Sequence, residues 1–340
     1  MTVSIKDIAR AADVSHSTVS RALSDSDLVR ATTKARILRL AREMGYSPDA
    51  RARSLVLGRT HTIGVVVTTF TDPFIAEVVQ AVETAAHQHG YSLILASSNS
   101  EPEREMAAVQ MLWSKRVDGL IVTSSRIGAL YQSRLDSLGV PVVLINSHQE
   151  QQGPYTFSVT MDNRHGGALA TAHLLELGHR RVAYVSGPAD HSDDLERMAG
   201  YRQALAKADI VYDPALIVQG TGRAGGGQVA WASLAALPNR PSAVFCYNDM
   251  TAIGLLRVVR EANLSIPLDL SVVGFDDIPL ASYVEPRLTT IAQPKRDLGA
   301  KAMAMVLALM MNDGPKTATV ANTVVQGRLI VRESSGYHAT

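Results

Sequence analysis

Three stretches of this chain carry residue types at spacings that could act on another molecule. From Ser15 to Arg21 the run Ser-His-Ser-Thr-Val-Ser-Arg gathers hydroxyls, an imidazole and a guanidinium, a set able to hydrogen-bond base edges. Gly220-Thr-Gly-Arg-Ala-Gly225 has the glycine spacing that lets a backbone approach a pyrophosphate. Asp276-Asp277 offers paired carboxylates for metal or acid–base chemistry.

The second and third stretches weaken on inspection. A dinucleotide site needs an acid on the following strand to hold the ribose, yet no Asp or Glu follows the glycines until Asp249. The run is not the first strand-turn of its unit either, so it reads as a flexible loop. No His or Cys cluster accompanies Asp276-Asp277. His87 and His89 lie near a helix end, where cations are favourable in any case. Cys246 sits in an apolar run with no His–Asp constellation around it. The chain therefore reads as no enzyme, with no cofactor and no metal.

The first stretch gains strength from the elements that position it. Ser4 and Asp7 have capping-box spacing, and Ile5, Ile8 and Ala9 fall on one face of the helix they open. Ala12-Asp13-Val14 makes a corner, and Ser15 caps a second helix whose Val19 and Ala22 face back toward the first. His16, Ser17 and Arg21 are left pointing outward, as in a helix-turn-helix whose second helix enters the major groove. Residues 31–44 predict a third helix, with Ala35, Leu38, Leu40, Ala41 and Met44 mostly inward and Arg36, Arg39 and Arg42 available to phosphates. Gly45 supplies its C-cap. Pro48 then opens a short helix through Arg51, Arg53 and Leu55 to about Val56, ended by Gly58. It is shorter than the roughly 12–15 residues an isolated helix needs, so it folds only when held by DNA and a partner copy.

Charge follows the same division. The 340 residues carry 33 Lys and Arg against 32 Asp and Glu, but residues 1–60 hold 11 against 6 and the remainder 22 against 26. A basic head on a mildly acidic body suits phosphate contacts at one end. One cysteine excludes a disulfide framework and fits a reducing cytoplasm. No apolar run approaches the roughly 20 residues of a membrane span, and the N-terminus has no apolar signal core.

From Thr62 the pattern alternates. The expected strands are 63–67, 92–96, 119–123, 141–145, 182–185, 216–218, 243–246 and 271–275. Helices are expected over 73–89, 103–115, 130–138, 165–177, 196–207, 228–237 and 250–262. Continuous apolar strands between helices mean parallel sheets covered on both faces. The pattern restarts midway, so the fold class is α/β: an all-α head, then two tandem doubly wound lobes with a cleft at the strands' carboxyl ends. Residues just past strand ends are the cleft candidates: Thr68, Phe74, Thr123, Asn146, His191, Asp193, Arg197, Asn248 and Asp276. A stacking aromatic, a forked cation, an amide and a carboxylate suit a polyhydroxylated ligand.

These motifs have a shared pattern elsewhere. Val14-Ser15, Thr18-Val-Ser-Arg21, Gly45-Tyr-Ser-Pro48 and Ala52-Arg-Ser-Leu55 match in order and spacing the N-terminus of the lactose-repressor (LacI/GalR) family of transcription regulators, which this chain resembles. Lys115–Ile121, Asp162-Asn163, Leu177–Val182, Gly274–Asp277, Leu288–Ile291 and Gln293-Pro294 extend the resemblance over the whole chain. It implies a dimeric, ligand-controlled repressor that binds a palindromic DNA operator in the cytoplasm. DNA would be contacted by Ser4, Ser15, His16, Ser17, Thr18, Ser20, Arg21 and Thr32, and by Ala52, Arg53 and Leu55 of a hinge helix whose Leu55 wedges into a central base step. Effector would be held by Arg197, Asn248 and Asp276 above all.

The resemblance also implies a periplasmic-binding-protein-like body crossed three times by the chain, near Met161–Asn163, Thr290–Gln293 and Thr323–Gln326. The expected division is 1–47 head, 48–60 hinge and linker, 61–161 plus 293–323 first lobe, and 162–292 plus 324–340 second lobe. Asp162-Asn163 and Leu177-Gly-His179 are taken as turn and cap chemistry. Two departures bear on the ligand. The purine-responsive branch has a tryptophan where this chain has Ser147 after Asn146, and several members have a bulky aromatic where this chain has Gly220-Thr-Gly222. A flat purine would lose its sandwich, so the expectation leans to a sugar or sugar acid. The alternatives are a non-sugar corepressor and, more remotely, a solute-binding protein. The tail from Arg332 lacks a leucine heptad, so dimers are expected.

Overall fold

The computed structural model describes residues 3–23, 26–46, 58–125, 135, 137–147, 155–189, 191–311 and 321–338. The chain divides into two compact units, 1–60 and 61–340.

Among its described residues the first unit has three helices, α1 (Ile5–Ala11), α2 (His16–Leu23) and α3 (Ala31–Glu43). Asp7 accepts from the Ser4 backbone N (3.0 Å) and Oγ (2.6 Å), and those bonds hold its carboxyl below the usual range. Asp13 turns the corner at φ 47°, a left-handed conformation that Asp tolerates better than most residues. Ser15 Oγ accepts from Thr18 N at 3.1 Å, the expected second cap. The shared core is Ile8, Ala9, Ala12, Val19, Ala22, Val29, Ile37 and Ala41. Each large member contributes about 1.5–3 kcal/mol by leaving water. The inward face of α3 differs from expectation. Ile37 is fully buried, whereas Ala35 and Leu38 are exposed, and Arg36 donates to Ala12 O at 2.6 Å, tying α3 to the corner.

The second unit holds two six-stranded sheets. In the first the order is β2 (Ser92–Ser97), β1 (Thr62–Val67), β3 (Gly119–Thr123), β4 (Val142–Ile145), β5 (Thr156–Met161) and β11 (Thr323–Val325), all parallel. In the second it is β7 (Ile217–Val218), β6 (Val182–Val185), β8 (Ala243–Cys246), β9 (Ser271–Asp276), β10 (Thr289–Ala292) and β12 (Arg328–Ile330). Only β12 runs antiparallel, against β10. Both sheets repeat one winding, with a switch point between β1 and β3 and another between β6 and β8.

Helices cover the sheets: α4 (Pro73–Gln88) and α5 (Pro102–Ser114) on the first, then α6 (Asn163–Glu176), α7 (Ser192–Lys207), α8 (Ala224–Ala235) and α9 (Asp249–Glu261) on the second. The last helix, α10 (Lys295–Met311), returns to pack its Leu298, Ala302, Met303 and Val306 into the first sheet's core beside α4. The chain thus passes between sheets after Met161, after Ala292 and after Val325.

Three local readings need correction. Residues 156–161 form a strand that the sequence hides, because Thr156, Ser158 and Thr160 break the apolar run while Phe157, Val159 and Met161 are buried. α7 begins four residues before the expected 196. The glycine run is loop only through Arg223: α8 starts at Ala224, four residues before the expected 228, and its Gly227 lies so close to α9 that a Cβ would meet Thr251 O at 2.0 Å. Gly254 of α9 answers with the same closeness to Ala224 O, 1.9 Å from an added Cβ. Glycine here allows two helix backbones to touch. Most of the helix expected near 130–138 lies outside the described residues.

Candidate functional site

In the head, the expected DNA-facing residues lie on two first turns and one helix face. Ser15, His16, Ser17 and Arg21 are exposed, Thr18 and Ser20 are half-buried, and Val19 and Ala22 are buried beneath them. Ser15 Oγ also meets Ser17 Oγ and Thr18 Oγ1, each at 2.8 Å, so the hydroxyls form one local cluster at the start of α2. Ser4 and Thr32 are exposed at the starts of α1 and α3, where free backbone N–H groups favour anions. Ala52, Arg53 and Leu55, with the rest of the expected hinge helix, lie outside the described residues.

In the body, a cavity of about 280 Å³ opens between the sheets, beside both switch points. Eight of the nine residues expected from strand ends line it: Thr68, Phe74, Asn146, His191, Asp193, Arg197, Asn248 and Asp276. Thr123 does not. As the last residue of β3 its side chain points into the lobe, with Oγ1 donating to Val66 O at 3.4 Å, and Ser124 lines the cavity instead. The wall also includes Asp72, Arg223, Tyr247 and Gln293, which the strand-end rule passed over. Tyr247 and Ser124 are one residue from candidates it named. Asp72 carried a signal of its own, as the N-cap of α4 ahead of Pro73, accepting from Phe74 N at 2.9 Å.

Three strands end at the cavity in non-glycine residues with positive φ: Ser124 at 46°, Asn146 at 50° and Asp276 at 117°. The last is a costly conformation for aspartate, and such strain persists only where the surroundings hold it. Lys295 Nζ holds it here, donating to the backbone O of Asp276 (3.2 Å) and to that of Asp277, and pairing with Glu77 of α4 at 3.0 Å. Arg332 fixes Asp277 at 2.6 Å.

Arg197 is the central charge. Its guanidinium lies 3.7 Å from the ring centroid of Phe275 and 4.6 Å from that of Tyr247, with Nη1 donating to Tyr247 O at 2.6 Å and Nε to Asn163 Oδ1 at 2.9 Å. Asp276 Oδ1 stands 4.0 Å from Nη1. Burial pushes the Asp276 carboxyl well above the usual carboxylate range, with Arg197 opposing. Burial raises Asp193 and Asp72 as well, against the pull of His191 and Arg197 on the first and of two backbone N–H groups and Arg223 on the second. The cavity is thus lined by three carboxyls reluctant to ionise, two arginines, several amides and hydroxyls, and the rings of Phe74 and Tyr247. It is built to exchange hydrogen bonds with a small polar ligand. Among the described residues no group of His, Cys, Asp and Glu is placed to hold a metal ion, and no helix is long and apolar enough to cross a membrane.

Comparison with known proteins decides the kinship. Residues 4–49 match the bacterial regulatory proteins of the lacI family, and residues 171–335 match a periplasmic binding protein-like domain. The HTH-type transcriptional repressor PurR of Vibrio atlanticus is 37% identical over 304 residues, 89% of this chain and 90% of that protein. The chain belongs to the LacI family. Among solved structures, the lac repressor dimer bound to operator and the anti-inducer ONPF aligns with a TM-score of 0.89 at 27% identity, over 99% of this chain and 100% of that one. The transcriptional regulator CelR in complex with cellobiose aligns with a TM-score of 0.74 at 31% identity, over 98% and 99%. The chain is a ligand-responsive, DNA-binding repressor of LacI-family architecture, a regulator and not an enzyme.

Proposed function

We propose that this repressor binds a palindromic operator as a homodimer in the cytoplasm and is controlled by a neutral sugar held in the cleft. The observation that carries the ligand class is the gap between Arg197 Nη1 and Asp276 Oδ1. At 4.0 Å it is too long for a hydrogen bond, and both groups line the cavity. A ligand hydroxyl in that gap accepts from the guanidinium and exchanges a hydrogen bond with the Asp276 carboxyl in either protonation state, whereas a ligand carboxylate only accepts and is repelled once Asp276 ionises. Asp72 and Asp193 beside it add carboxyls that exchange hydrogen bonds with hydroxyls in either protonation state, and each that ionises makes an anionic ligand costlier, which favours a neutral sugar over a sugar acid. A volume near 280 Å³ is at the small end of ligand sites and suits a monosaccharide or a partly enclosed disaccharide.

The loop opposite Phe74 supports the same reading. Gly222 sits at φ 71°, with an added Cβ 3.4 Å from the Tyr247 ring, so the position carries no aromatic lid for a flat ligand. Kinship with PurR repressors favours a second reading, a nucleobase acting as corepressor.

One experiment separates the two. The full chain is melted with D-ribose, D-glucose, cellobiose, gluconate, hypoxanthine and guanine, then used with each active compound to select from randomised duplexes. A Tm raised by a neutral sugar, with a palindrome enriched only in its absence, is expected. A shift with hypoxanthine or guanine alone would replace the sugar by a nucleobase. No palindrome under any condition would overturn the regulator reading.

A further inference from the structure

Six buried residues in and behind the cavity wall form a ring joined by hydrogen bonds at every link but one. Met161 N donates to Asn146 Oδ1 at 3.0 Å, and Asn146 Nδ2 donates to Gln293 Oε1 at 3.0 Å. Gln293 Nε2 donates to Asp276 Oδ1 at 2.7 Å. Across the 4.0 Å gap stands Arg197, whose Nε donates to Asn163 Oδ1 at 2.9 Å. Asn163 Nδ2 closes the circuit on Met161 O at 3.4 Å and also donates to Asp193 Oδ1 at 3.0 Å. Met161 and Asn163 flank the first passage between the sheets, and Gln293 lies on the second. Asp162 N, between the first two, donates to Val325 O on the third at 2.8 Å.

The geometry points to Asn163 and Gln293 as positioning residues that fix Arg197 and Asp276 for the effector and join that pair to all three inter-lobe passages as one cooperative unit. This deepens the proposed reading of the cleft and rests on it. Asn163 does not line the cavity; it orients Arg197 from behind, leaving the guanidinium edge for the ligand. Gln293 does the same for Asp276 and hands its own carbonyl to Asn146 of the first lobe. The single open link of the circuit is where a ligand hydroxyl would enter. Closing it ties the effector to the three segments that join the lobes, and a fully satisfied network passes a local change onward.

The test uses the full chain without effector or DNA. Asn163→Ala and Gln293→Ala share no hydrogen-bonding partner, so as independent packing residues their losses of Tm would add. One circuit broken at either place predicts a double variant that melts within about one degree of the worse single variant. Additive losses would overturn the assignment. Where Asn163→Ala does not fold, Asn163→Asp takes its place in the cycle.

Asn163→Asp also places a titratable group on the circuit. The aspartate keeps the acceptor for Arg197 but, when ionised, loses the donor to Asp193. The charged groups facing position 163 are Asp193 and Arg197, with Asp276 and His191 beyond them. Burial and the facing Asp193 favour the protonated form at low pH, when the donor is restored. The Tm deficit against wild type should therefore widen from about pH 5 to about pH 8. An equal deficit at both would overturn the assignment. Neither measurement involves ligand or operator, so failure of the circuit is distinct from failure of the regulator reading, which the duplex selection reports.

Discussion

Arg197 lies over the ring of Phe275, with 3.7 Å between the guanidinium carbon and the ring centroid, and the residue after Phe275 is Asp276, whose carboxyl faces the same cation. β9 thus delivers the surface that holds Arg197 and the carboxyl that faces it across the 4.0 Å gap within two consecutive residues. The alternation of a strand would send them to opposite sides; the φ of 117° at Asp276 turns the chain so that both address Arg197.

Arg197→Ala should accordingly cost more than a ligand contact. It strips a buried cation from Asn163, Tyr247 O and Asp276, leaving partners unsatisfied in the interior. Urea unfolding should show a loss of about 3–5 kcal/mol. Arg197→Lys should recover only part of it, since an ammonium neither stacks between two rings nor forks to two acceptors. A loss below about 1 kcal/mol for the alanine variant would contradict this account of the site.

The glycines at the start of α8 make opposite predictions two positions apart. A Cβ at Gly225 meets nothing within 4 Å, so Gly225→Ala should stabilise by about 0.5–1 kcal/mol through the unfolded chain and helix propensity. A Cβ at Gly227 meets Thr251 O at 2.0 Å, so Gly227→Ala must part α8 from α9 and should cost about 1–3 kcal/mol. Thermal melts of the two variants check both signs.

Two buried groups give stability a pH dependence of opposite sign. Burial pushes the Asp249 carboxyl up to about 7 from 3.8, so the native state holds a proton that the unfolded chain releases across that window. Its contribution is full below the unfolded value and is lost as pH rises toward 7. Asp249→Asn should flatten that fall, whatever its absolute cost. His179 is held below 6.5 by burial among Ser242, Ser271 and Gly336 O, so its contribution is present at neutral pH and is lost as pH falls. His179→Gln should remove that acid-side loss. Urea midpoints across pH, taken as differences from wild type, separate the two.

On DNA, Arg21 and Arg39 should behave differently. Arg21 stands exposed on the outer face of α2, and Arg21→Ala should relax preference at one base pair of each half-site by about 1–3 kcal/mol. Arg39, paired with Glu43 at 3.8 Å on the exposed side of α3, is the expected phosphate partner. Arg39→Ala should weaken all duplexes alike and make binding less dependent on salt. Duplex selection followed by titration at two salt concentrations distinguishes these patterns.

Much of this was legible in the residues because it depends on neighbours in the chain. Caps at Ser4 and Ser15, the corner at Asp13, and the apolar strands from Ile63 to Phe275 follow from spacings of two to four residues, which backbone geometry converts directly into helix or strand. The candidate cleft was legible for the same reason: strand ends in a doubly wound sheet face the ligand, and eight of nine such residues line the cavity. The errors lie where that rule meets side-chain direction. Thr123, still within β3, points into the lobe, and the wall passes to Ser124 once φ turns positive.

What only the tertiary structure decided is which distant residues complete one another. Asn163 looked like turn chemistry, yet it orients Arg197, 34 residues on. Asn146 and Gln293 meet across 147 residues, on either side of five of the second sheet's six strands. Gly227 of α8 has its meaning in the backbone of α9, not in its own flexibility. Local patterns determine elements because a helix or strand satisfies its own backbone. The pairing of buried polar side chains is set by the three passages of the chain between its sheets, and no short stretch of sequence contains more than one of them.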